Sequence, residues 1–134
     1  MRYISKIQQR FSDFDKLGHV NNAHYLTYYE RARIDFFEHL LKGKINWEKE
    51  GLILARAELD YIRPLDIGID FQIETYISKI GTKSFVMTHE ITSSDNTLMA
   101  KGNITMVAFS YEKQQSMIIP EIWKDSFSDY LESN

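Results

Sequence analysis

A chain of 134 residues, 43% of them hydrophobic, is one ordinary domain, long enough to bury a real core. Its formal charge is −3, with both signs scattered along the chain, which argues against general nucleic-acid binding. Cysteine is absent, so disulfides, thiolate zinc sites and a cysteine nucleophile are all excluded.

The opening segment M-R-Y-I-S-K-I-Q-Q-R-F has no apolar core of signal-peptide length, and no run in the chain is long enough to span a bilayer. The expectation is a soluble cytoplasmic protein with no membrane anchor. No linker, repeat or low-complexity tract divides the sequence, so residues 1–134 read as a single domain.

Residues 2 to 11 read as a strand. A polar stretch follows, F-S-D-F-D-K-L-G-H-V-N-N, over residues 11 to 22. From Tyr25 to Leu41 apolar residues recur at helical spacing. Tyr25, Tyr29, Ala32, Phe36 and Leu40 make one stripe, widened by Leu26, Phe37 and Leu41. Asn21 or Asn22 can cap its start, and Gly43 can end it in a left-handed turn. Tyr25, Tyr28 and Tyr29 read mainly as core.

Four strands follow by alternation, over 53–62, 69–77, 85–91 and 98–111. Turns fall at Pro64–Gly68, Gly81 and Ser93–Asn96. His89 lies on an apolar strand face and reads as a core histidine. The last strand is apolar on both faces, which asks for cover from another subunit over a face or an edge. A short helix near Pro120 buries Ile119, Trp123, Phe127 and Tyr130. One long helix against one antiparallel sheet is an α+β layer arrangement.

The polar stretch raises the chemical question. D-F-D-K-L-G begins like a calcium loop, but Leu17 has no oxygen to offer and His24 stands where a bidentate glutamate belongs. Asp15, His19 and His24 match no standard zinc spacing, so no metal is expected. A well-capped loop is the simplest reading, since Asp, Asn and Gly are ordinary turn residues. Against it stands the position. A helix N-terminus exposes unpaired N–H groups that can hold an oxyanion, and a nearby carboxylate can act as base or nucleophile.

The stretch F-S-D-F-D-K-L-G-H-V-N-N-A-H-Y-L-T-Y-Y-E-R-A-R resembles the start of the hotdog-fold acyl-CoA thioesterases of the 4-hydroxybenzoyl-CoA thioesterase-like group. L-D-Y-I-R-P-L, I-G-T-K-S-F, M-V-A-F and I-I-P continue the resemblance in order. It implies a hotdog fold, an antiparallel sheet wrapped around one long helix, assembled as a homodimer or homotetramer. It implies an enzyme that hydrolyses acyl-CoA to free acid and coenzyme A without a cofactor. Asp15 falls on the catalytic aspartate, and the backbone near Asn22 on the oxyanion donor.

Gly18 lets the backbone turn close to the thioester, with Ala23 and Tyr25 beside it. His19 is either a second acid or base, or a loop-ordering residue. Lys83 and Ser84 are the candidates for the nucleotide end of coenzyme A, with Arg63 and Lys79 weaker. Glu30 reads as a structural partner of Arg33 or Arg63, and Asp13 as a loop or cap residue.

No G-x-S-x-G occurs, which disfavours serine chemistry. A non-catalytic acyl-CoA-binding protein and a dehydratase using Asp15 with His19 are the alternatives. Acyl chain type and the choice between coenzyme A and acyl carrier protein as donor stay open.

Overall fold

A computed structural model describes residues 1–132. Asn21 starts the long helix: its side chain accepts the N–H of Ala23 at 3.0 Å. Helix α1 then runs Asn22–Leu40, three residues earlier than the apolar stripe alone implies. The Leu41 N–H closes its last turn on Phe37, and Gly43 at φ +75° reverses the chain.

The remaining elements are strands β1 (Tyr3–Ser5), β2 (Glu50–Tyr61), β3 (Phe71–Ile80), β4 (Ser84–Ser93), β5 (Leu98–Ser110) and β6 (Gln115–Ser116), and helix α2 (Glu121–Ser128). They form one antiparallel sheet in the order β1-β3-β4-β5-β2, with β6 added to β5. Both helices pack on its inner face, so this is the expected α+β arrangement.

The core has two parts. Phe36, Phe37 and Leu41 of α1 meet Phe85, Met87, Ile104 and Met106 of the sheet and Trp123 and Phe127 of α2. Nearer the helix start, Tyr25, Tyr28, Tyr29 and Ala32 meet Phe71, Ile73, Ile91 and Ala100. A side chain at Gly102 would place its Cβ 2.7 Å from the Tyr29 ring, so glycine lets α1 settle onto β5.

Three expectations need correction. The opening strand is short, because Arg10 turns its backbone N–H and guanidinium toward Asp13 and diverts the chain into a 3-10 turn at Phe11–Asp13. Leu26 is 40% exposed, and Tyr28 takes the inward place with its hydroxyl on a buried carboxylate. The sheet's outer face is also largely polar. Arg2 pairs there with Glu74, Glu90 and Glu132, and Thr88 donates to Asn103. Edge strand β2 exposes Ile53 and Leu54.

Candidate active site

The polar stretch folds as a tight hairpin. Phe14 bridges Val20, the Asp15 N–H donates to the His19 carbonyl at 2.8 Å, and the Gly18 N–H donates to the Asp15 carbonyl at 3.1 Å. Gly18 sits at φ +79°, the left-handed residue that completes a turn of this kind. The Asp15 carboxylate holds its own turn: Oδ1 accepts Leu17 N–H at 2.9 Å and His19 N–H at 3.3 Å. Oδ2 accepts no hydrogen bond among the described residues, and the side chain is exposed.

A second segment anchors the hairpin. Val20 N–H donates to Leu65 at 2.7 Å and Ile67 N–H to Gly18 at 3.0 Å, which sets His19 opposite Asp66. Their side chains pair, His19 Nδ1 on Asp66 Oδ1. Asn21 N–H then donates to the Asp13 carbonyl, and α1 begins.

At the helix start the N–H groups are divided. Asn21 takes that of Ala23 with its side chain and that of His24 with its carbonyl. Asn22, the first helical residue, has no carbonyl one turn earlier to receive its own N–H. Its carbonyl accepts the Tyr61 hydroxyl at 3.1 Å. Tyr61 meets Tyr25 edge-on at 4.8 Å, and burial pushes the Tyr25 hydroxyl up while it accepts the Leu65 N–H.

Together Asp15, His19, Asn22, Tyr25, Tyr61 and Arg63 line a cleft of about 230 Å³. Asp15, His19, Asn22 and Tyr25 are the residues the resemblance implies for this site; Arg63, expected beside Lys83, lies here instead, and Tyr61 is an addition. Gly18 shapes the turn, whereas the N–H of Ala23 is spent on the cap. Lys83 and Ser84 lie elsewhere. Lys83 lines a separate groove of about 420 Å³ with Lys49 and Lys113, and half-buried Ser84 begins β4 beside it. Lys79 is exposed on β3.

The polar residues set aside as structural behave differently from one another. Asp13 is fully buried. Burial opposes its charge, but the Arg10 N–H, the Tyr28 hydroxyl and the Arg10 guanidinium hold its carboxyl below the usual range. Glu30 reaches Arg33 at 3.9 Å. His89 is fully buried, stacked on Tyr29 with Nδ1 on Thr75. Burial, with Arg33 adding, pulls it down to about 3, so it stays neutral. Its Nε2 has no partner among the described residues.

An antiparallel sheet packed around one long helix is the hotdog fold. The chain belongs to the thioesterase-like superfamily, whose family model matches residues 9–127. It is 25% identical over 113 residues to the acyl-CoA thioester hydrolase YbgC of Escherichia coli O6:H1, covering 83% of this chain and 84% of that one.

A thioesterase from Thermus thermophilus, solved with coenzyme A and zinc, superposes with a TM-score of 0.79 at 30% identity. The match covers 95% of this chain and 92% of that one. A predicted thioesterase from Bacillus stearothermophilus superposes with a TM-score of 0.88 at 24% identity, over 100% of this chain and 99% of that one. No helix among the described residues is long and apolar enough to cross a membrane.

Proposed function

We propose that Asp15 is the reacting carboxylate of an acyl-CoA thioesterase, with the Asn22 N–H holding the oxyanion. The chain is a thioester hydrolase, and its products are a free acid and coenzyme A. One observation carries the residue assignment. Asp15, whose Oδ2 accepts no hydrogen bond among the described residues, and Asn22, whose N–H has no helical acceptor, line the same cleft at the start of α1. A thioester carbonyl seated there is polarised by the helix end while Asp15 activates water or attacks directly. Acyl carrier protein presents a thioester too and is the second donor to assay. Acyl-CoA chemistry makes the cytoplasm its place of work.

The lysine groove enters through assembly. Strand β2 runs from Glu50, at that groove, to Tyr61, at the Asp15 cleft, roughly 36 Å at 3.3 Å per residue. Among the described residues no strand pairs with its outer edge. Antiparallel pairing of this edge with a second copy about a two-fold axis sets the Glu50 end of one chain beside the Tyr61 end of the other. The site is then composite: Asp15 from one copy, and Lys83 from the other for the coenzyme A phosphates. Dimers of such dimers give the tetramer.

Thiol release across a series of acyl-CoA lengths tests the activity. Mixed dimers test the composite site. Asp15→Asn and Lys83→Ala chains, exchanged together, should give a kcat/KM above the average of the two variants measured apart. No gain on mixing, or sedimentation of a 15.8 kDa monomer at micromolar concentration, would remove the composite site.

A further inference from the structure

The His19–Asp66 pair is not needed to hold its two segments together. The backbone bonds Val20 to Leu65 and Ile67 to Gly18 already do that. Both side chains are well exposed, 38% for His19 and 53% for Asp66, and a pair so exposed contributes little to stability. What the pair does fix is the imidazole. An ionised carboxylate only accepts hydrogen bonds, so Nδ1 must carry a proton and donate it to Asp66. Nε2 is the ring nitrogen left for a substrate, and His19 lines the same cleft as Asp15 and Asn22.

Thioester hydrolysis needs two proton movements. Water must lose a proton as it attacks, and the departing sulfur must gain one. Asp15 serves the first. We propose that Asp66 is a positioning residue for the second: it holds His19 so that the imidazolium Nε2–H delivers a proton to the departing coenzyme A sulfur. This rests on the thioesterase reading above.

The steps balance. Water oxygen bonds to the carbonyl carbon, and its proton passes to Asp15. The carbonyl electrons move to the oxygen held by the Asn22 N–H. They return as the C–S bond breaks, and Nε2–H protonates the sulfur. Neutral His19 then regains its proton from Asp15. The sum is thioester plus water giving carboxylic acid plus thiol.

The test varies the leaving group. An alkyl thioester such as acyl-CoA releases a basic thiolate that needs the proton, whereas an aryl thioester of the same acyl group releases a stable thiolate that does not. Asp66→Ala should lower kcat for acyl-CoA on the order of 10²-fold, the usual size of a general-acid contribution, with little change in KM. For the aryl thioester kcat should fall less than about fivefold, well short of a general-acid effect.

Asp66→Glu should restore part of the loss, and in a His19→Ala background Asp66→Ala should cost nothing further. Asp66→Asn, of the same size, takes the place of the alanine variant if that chain does not fold. Equal loss with both leaving groups, or a loss that persists without His19, overturns the proposal. If wild type cleaves both thioesters and Asp66→Ala matches it, only the positioning role is lost. If wild type cleaves neither, the thioesterase reading falls with it.

Discussion

Asp13 and Asp15 stand two residues apart in one loop and have opposite surroundings. Asp13 is fully buried, and both its oxygens are occupied by Arg10 and Tyr28 at 2.8–3.3 Å. Asp15 is exposed and spends one oxygen on its own turn. A carboxylate saturated by protein donors holds structure and has no lone pair to spare for a proton. A carboxylate with one oxygen facing a cleft is placed to react. The D-F-D pattern therefore divides two tasks, clamping the loop to α1 and acting on the substrate.

The largest expected effect separates the two on turnover. Asp15→Asn should lower kcat on the order of 10²–10⁴-fold, the range for a positioned acid–base group, without lowering the melting temperature. Turnover within about threefold of wild type, far below that range, would return Asp15 to the role of a turn residue. Asp13→Asn should do the reverse. It turns an amide NH₂ toward donors and leaves Tyr28 or Arg10 unpaired, which should cost about 1–3 kcal/mol of stability, with kcat of the folded enzyme kept. It is therefore no neutral control for the Asp15 variant.

The same contrast appears in pH. The folded state holds the Asp13 carboxyl low, so its stabilising contribution is complete above the ordinary aspartate range near 4 and is lost as pH falls through the lowered folded value. The stability gap between wild type and Asp13→Asn should therefore be full at neutral pH and close in acid. A gap constant down to about pH 3, below that ordinary value, would show that Asp13 acts without its charge.

Smaller effects sharpen the picture at the turn and at the distant groove. Gly18→Ala meets no atom within 4 Å but forces a side chain into φ +79°, which should cost about 1–2 kcal/mol and loosen the frame of Asp15. Lys83→Ala should raise KM for acyl-CoA a few-fold, roughly the reach of one exposed charge, and leave kcat nearly unchanged. The effect should fade at high salt.

Much of this was legible in the sequence because period and position carry it. The alternation of 69–77 gave β3, the stripe from Tyr25 to Leu41 gave α1, and D-K-L-G-H announced a turn before a helix. The cleft residues Asp15, His19, Asn22 and Tyr25 followed from motif resemblance, whereas Arg63, expected with Lys83 at the nucleotide end, lies at this cleft instead. What stayed hidden depends on distant partners.

Asp66 lies 47 residues from His19, and only the bridge between their segments brings them together. Helical spacing places Tyr28 in the core but does not record that its hydroxyl meets the buried Asp13 carboxylate. Strand β2 has an alternating pattern but lies exposed at an edge, since alternation marks two faces and says nothing of neighbours.

The division of labour between the two aspartates is tested most directly by binding intact acyl-CoA to Asp15→Asn. A dead variant that still holds its substrate separates chemistry from folding and from recognition. Titration calorimetry should give a Kd within about threefold of the wild-type value for a non-hydrolysable acyl-CoA analogue, with no thiol released, as expected when only a transition-state interaction is removed. Loss of binding together with turnover would make Asp15 part of the frame that forms the cleft, and would contradict its assignment as the reacting group.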